Sequence, residues 1–314
     1  MLSYGSDVAS NTSQCRVAVT KRDRDLFSAL YRSPLTAEQI FQLSETFVES
    51  FPTLRRTQAR LGQLAASGML HAWRYATIGQ GSAPHYYKLS PETFRLLFGH
   101  NAGLPSKRFL HEVKVSQQEH KRLLGDFTVH TAVAAHRRGL SFVYFHPENT
   151  HRIETADGTT FPDQAFGLHL PPATRLNNFH VELDNSTEPV RSTDRLDSWQ
   201  NRLRRYYQNE ASSSERSRLI IVNTKNGNRL PNILDLALRL NPNPSYSMAV
   251  GVFLSEYLAE PDPFFAPCFR DQHNARVPLL RSIAPSRTEQ LTGHSVSTAR
   301  RFVLACPPVG RPLL

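Results

Sequence analysis

Phe179-His180-Val181-Glu182-Leu183-Asp184 alternates apolar and ionisable side chains without interruption. Successive side chains of a β-strand point to opposite faces, so His180, Glu182 and Asp184 share one face and Phe179, Val181 and Leu183 the other. The apolar row predicts a strand packed on a core. The ionisable row is costly to bury without partners or a metal ion; the plainer reading is a solvent-facing polar network. Upstream, Phe161-Pro162-Asp163-Gln164-Ala165 places Asp163 within a second strand-like run, Thr159–Leu168. Asp163 and Glu182 on neighbouring strands would pair two carboxylates around Mg²⁺ or Mn²⁺, hard cations that prefer oxygen. Such an ion can activate water for attack on a phosphodiester.

Working outward, the expected order is a helix over about Val115–Arg138, strands at Ser141–Phe145, Thr159–Leu168 and Asn178–Asp184, and a helix over about Thr193–Gln208. A strand at Arg218–Val222, a helix near Pro231–Leu240 and a strand at Ser247–Leu254 complete the set. This αβββαβ pattern predicts a mixed sheet in an α+β or α/β domain spanning 108–255, preceded by a Gly/Pro/Ser-containing joint at 99–107. From 256 to 314 the chain turns Pro-rich and reads as an extension, with Phe264, Phe265 and Phe269 available for packing and a short basic helix at Ser295–Ala305.

Residues 1–20 read as a flexible lead-in and 21–100 as a separate domain. Leu26, Phe27, Leu30 and Tyr31 recur at helical spacing until Pro34. Thr36-Ala-Glu-Gln39 is a capping-box pattern that opens a second helix carrying Ile40, Phe41 and Leu43. A third runs from about Thr53 to Ser67, closed by Gly68. On that third helix Leu54, Thr57, Leu61, Leu64 and Ala65 share one face, and Arg55, Arg56, Arg60 and Gln63 the opposite one. Arginine forks onto guanine or phosphate and glutamine pairs with adenine, so this face suits a recognition helix; the alternative is a solvated basic face. Two β-prone segments, Leu70–Thr77 and His85–Leu89, flank Gly79-Gln80-Gly81-Ser82, and Ser90-Pro91 opens a fourth helix. Three helices, a hairpin and a helix predict a winged helix-turn-helix, with Arg74, Gln80 and Lys88 on the wing.

Bulk properties agree with a polyanion partner. The net charge is +10, and residues 1–110 hold 13 Lys/Arg against 7 Asp/Glu, so the basic excess is concentrated there. Cys15, Cys268 and Cys306 lack CxxC spacing, which argues against a disulfide framework or cysteine zinc site and favours a cytoplasmic setting. No apolar run long enough for a membrane span, no basic-then-apolar secretory start, no HExxH array and no P-loop occur. Tyr206 and Tyr207 lie on a predicted helix without the histidine triad of a tyrosine relaxase.

Pro162-Asp163 followed by Glu182-Leu183-Asp184 in an αβββαβ order resembles the PD-(D/E)xK nuclease superfamily. More narrowly, the chain resembles the replication-relaxation family of plasmids and mobile elements. The matching pieces are Arg56…Arg60-Leu61…Leu64…Gly68-Met69-Leu70, the His120…Asp126 helix, Phe161-Pro162-Asp163, Phe179–Glu188 and Arg202-Leu203-Arg204-Arg205-Tyr206. The resemblance implies a restriction-endonuclease-like domain behind the winged helix, double-stranded DNA as partner, and a role in plasmid replication or mobilisation. It implies Asp163, Glu182, Asp184 and Arg202 as catalytic candidates, with Asp163 and Glu182 holding Mg²⁺ or Mn²⁺. The chain departs from the superfamily pattern where Asp184 replaces the lysine two residues after the strand acid. Arg202 stands where relatives tend to carry lysine, and a guanidinium is a poor proton donor or acceptor. Three readings follow: a DNA-binding accessory protein, a metal-dependent endonuclease, or an adaptor for a relaxase or replication initiator.

Overall fold

Thr20 caps the first helix; an N-terminal unit of the chain then builds a three-stranded sheet and a second unit a seven-stranded one, with one buried core continuous through both. The computed structural model describes residues 17–76, 83–170, 176–192, 198–225, 227–243 and 245–281. In the first unit α1 (Lys21–Arg32) is closed at its start by a Thr20/Asp23 capping box, and α2 (Ala37–Leu43) by the Thr36/Gln39 box that the spacing predicts. The strand β1 (Leu35–Thr36) lies between them. Helix α3 (Leu54–Ala66) begins at the Thr53 cap. It ends on Gly68 in the left-handed region (φ +76°), with the Met69 and Gly68 N–H groups donating to Leu64 and Ala65. That geometry strains any residue with a Cβ, and it satisfies carbonyls the helix end would leave exposed.

The hairpin β2 (Leu70–Arg74) and β3 (His85–Leu89) follows, and β1 adds to β3, giving the order β1-β3-β2. Helix α4 (Pro91–Phe98) starts from Ser90 with Pro91 at its first position. The expected turn around Gly79–Ser82, with Gln80, lies outside the described residues. Leu26, Phe27, Leu30, Ile40, Leu43, Leu61 and Leu64 meet in one core.

The second unit starts with α5 (Lys107–Leu110) and the long α6 (Val115–Arg137). Then come β4 (Ser141–His146), the hairpin β5 (Ile153–Thr155) and β6 (Gly158–Thr160), β7 (Gln164–His169) and β8 (Leu176–Asp184). Helix α7 (Trp199–Ser212), β9 (Ser217–Asn223), α8 (Arg229–Leu240), β10 (Ala249–Phe253) and α9 (Leu254–Ala259) follow, then β11 (Phe269–Arg270) and β12 (Arg276–Val277). The sheet order is β12-β11-β10-β9-β8-β7-β4; β8, β9 and β10 are parallel and their neighbours antiparallel. This is the mixed sheet expected. Phe179, Val181 and Leu183 join the core with Leu124 and Phe127 of α6, while Trp199, Leu203, Ile233 and Leu234 of α7 and α8 form a second core with Leu219 and Ile221.

Two expectations shift. The β5–β6 hairpin takes the residues expected to begin the second strand, so Asp163 sits just ahead of β7 instead of within a strand. Residues 256–281 belong to the domain: Phe264 and Phe269 are buried in the core and β11 pairs with β10. The proposed helix at Ser295–Ala305 lies outside the described residues. The two units are also fastened together. Gln39 donates to the Arg122 carbonyl (3.0 Å) and to Asp126 (2.7 Å), fitting against Gly125, where a Cβ would lie 2.9 Å from its amide nitrogen. The hairpin is tied to α6 and to the connection before it: Gln118 of α6 accepts from the Ala76 N–H (2.5 Å) and the Tyr86 hydroxyl from the Val113 N–H (2.9 Å).

Candidate functional site

The ionisable face of β8 is buried under α7 and α8. Positions 199, 202, 203 and 206 of α7 fall on one helical face, which brings Trp199, Arg202 and Tyr206 down on the strand together. Glu182, 1% exposed, accepts from the Tyr206 hydroxyl on Oε1 (2.7 Å) and is ion-paired through Oε2 to Arg202 (2.8 Å). The other arm of Arg202 reaches Glu188 (2.8 Å). Burial pushes the Glu182 carboxyl upward and the nearby Asp163 charge adds to this, while the Arg202 guanidinium and the Tyr206 hydroxyl pull it down. Asp184, 3% exposed, takes a two-pronged contact from Arg229 (2.7 and 2.8 Å), and accepts from Asn223 (2.6 Å) and the Trp199 indole (3.2 Å). It anchors α7 and α8 to the sheet.

Asp163 faces another set of groups. Its Oδ2 accepts from the Leu183 N–H (2.8 Å) and its Oδ1 lies 3.3 Å from His120 Nε2. Burial raises this carboxyl, but His120 and the Leu183 N–H outweigh it and hold Asp163 below the usual range. Beside them Glu148 is ion-paired to Lys121. Asp163, Glu182 and Arg202 therefore lie close enough for their charges to interact. They do not fit the expected Mg²⁺ or Mn²⁺ site, because both Glu182 oxygens are engaged and the Arg202 guanidinium stands against the carboxylate as its cation. Glu148 and Lys121 were not foreseen: Glu148 lies in a loop, and Lys121 sits within the His120…Asp126 helix with nothing in its spacing to mark it.

His180 leads into a ring column. His146, Ala165 and His180 are in register across β4, β7 and β8, and the small Ala165 leaves room for His151 between the imidazoles. Ring centroids are 5.0 Å apart for His146–His151, 5.3 Å for His151–His180 and 5.5 Å for His180–Tyr206. Burial, and then the neighbouring imidazoles, depress His151 to about 4 and His180 to about 3.

The basic residues of the first unit divide sharply. Arg55, Arg56 and Gln63 are exposed on α3, with Ala59, Gly62 and Ala66 between them. Arg60 is turned inward: its guanidinium meets the fully buried Asp23 (2.6 and 3.0 Å) and the Ala18 carbonyl (2.7 Å). Lys88 is 5% exposed and donates to the His111 carbonyl (2.6 Å), so it does not reach the outer face of the hairpin. Burial lowers its ammonium to about 8. Arg74 is exposed beside His85 (3.4 Å).

The family model described as replication-relaxation matches residues 30–218, which include α3, Asp163, Glu182 and Arg202. The chain belongs to the replication-relaxation family. Arg229, the Asp184 partner, lies beyond the matched stretch of this family member. No curated protein matches it. A solved structure of the restriction endonuclease FokI is 12% identical over 77% of this chain and 43% of that one, at a TM-score of 0.27. The replication-relaxation chain thus spans about two fifths of that structure's length, and at this score the likeness carries no argument about the site. Among the described residues no helix is long and apolar enough to cross a membrane.

Proposed function

We propose that this chain is a DNA-binding accessory protein of plasmid or mobile-element replication and mobilisation. Its first unit acts as a winged helix on duplex DNA, and its sheet domain is a nuclease-derived scaffold that meets DNA near the processing site. The observation that carries this is the outward face of α3, where Arg55, Arg56 and Gln63 stand exposed around small residues that allow a close approach to the groove. The exposed Arg74 extends the same positive field along the hairpin. The endonuclease reading through Asp163 and Glu182 is opposed by the Arg202 and Tyr206 contacts that close off Glu182.

Fluorescence anisotropy with a labelled duplex tests the DNA reading. Arg55→Ala with Arg56→Ala removes two outward guanidiniums and is expected to weaken binding by roughly 10–100-fold, with melting temperature unchanged. Unchanged affinity in that variant rejects the proposal. Co-purification with a relaxase or initiator, without any DNA affinity, would favour the adaptor reading.

A further inference from the structure

We propose that His120, Glu148 and Asp163 form a binding site for one divalent first-row metal ion in the Mn²⁺ to Zn²⁺ range. The three residues come from α6, the loop after β4 and the segment entering β7, and one ligand atom of each lies within 4.8 Å of the others. Ligand atoms around an ion at about 2.1 Å stand about 3–4 Å apart, so small side-chain rotations close the set. One imidazole and two carboxylates suit first-row transition metals better than Ca²⁺, which takes oxygen ligands alone. All three residues are half-buried, which leaves open positions on the ion for water or a phosphate oxygen.

The metal would have one competitor: the Lys121 ammonium is ion-paired to Glu148 and is displaced when the ion binds. Behind His120, the Asn185 amide nitrogen lies 3.5 Å from Nδ1, and its Oδ1 is shut from solvent with no hydrogen-bond partner among the described residues; turning the amide over puts that oxygen where it accepts from Nδ1–H and leaves Nε2 free for the metal. A polar group behind a ligating imidazole is the kind of support that orients such rings on a metal.

Titration of the full chain with Mn²⁺, followed by loss of the free-ion paramagnetic resonance signal, tests this without DNA, so its failure leaves the DNA-binding reading standing. One equivalent is expected to bind. His120→Ala and Glu148→Gln should each weaken it by at least about tenfold, and Glu182→Gln should leave it unchanged. Lys121→Met should tighten binding by removing the competing ammonium, a gain that misfolding cannot imitate. No bound Mn²⁺, equal binding in His120→Ala and Glu148→Gln, loss in Glu182→Gln, or no gain in Lys121→Met overturns the proposal.

Discussion

The outer face of α3 and the inner face of β8 both carry ionisable side chains at regular spacing, yet they use them in opposite ways. On α3, Arg55 and Arg56 are exposed and the helix is held by its other face, through Thr57, Leu61 and Leu64. On β8, Glu182 and Asp184 are buried, and each is matched by an arginine from a helix packed above it. The contrast teaches that periodicity shows which side chains share a face, while only the tertiary fold shows whether their partner is internal. Arg60 makes the same point within one helix: it shares a face with Arg56 and Gln63, but Asp23 claims it.

The largest effect separating the two regions should follow from breaking an internal pair. Arg202→Ala leaves Glu182 buried without its cation and is expected to lower unfolding free energy by about 3–5 kcal/mol, read by urea denaturation. A loss below about 1 kcal/mol would mean that Glu182 is carried neutral on Tyr206 alone. Arg60→Ala should destabilise by about 2–3 kcal/mol, since Asp23 is fully buried. Arg55→Ala, on the same helix, should stay within about 0.5 kcal/mol of the parent. Equal effects from these two substitutions would erase the distinction drawn between them.

A smaller effect concerns pH. His180 is held near 3 in the folded chain against an ordinary value of 6.5, and His151 near 4. Both bind protons more readily when unfolded, so the stability they contribute is present above pH 6.5 and is lost as pH falls through the range down to 3. His120 has the opposite sign. Burial opposes its charge, but Asp163 outweighs that and raises its pKa, so its contribution is present below pH 6.5 and fades as pH rises through its folded value. Denaturation at about pH 7 and about pH 5 should therefore show a net loss on acidification, of about 1–2 kcal/mol from His180. His180→Phe should flatten that slope and His120→Gln should steepen it.

Much of the fold is written locally. The Thr36/Gln39 box, the Gly68 stop and the alternation through 179–184 each depend on residues within one turn or one strand, and each stands where the spacing puts it. Contacts that depend on register over long separations were not legible. Lys88 looks like a wing cation until the connection at His111 is laid beside it. Asp163 looks like a strand residue until the β5–β6 hairpin displaces the start of β7. Asp23 and Arg60 are 37 positions apart, and Lys121 and Glu148 are 27. No local pattern marks such pairs, because packing of whole elements creates them.

The salt dependence of duplex binding tests the central claim most directly, since phosphate contacts release counterions and internal ion pairs do not. The predicted result is a linear fall of log affinity with log salt concentration, with a slope reduced by about two in Arg55→Ala/Arg56→Ala. An affinity that does not change with salt, or a slope identical in the parent and the variant, would contradict it.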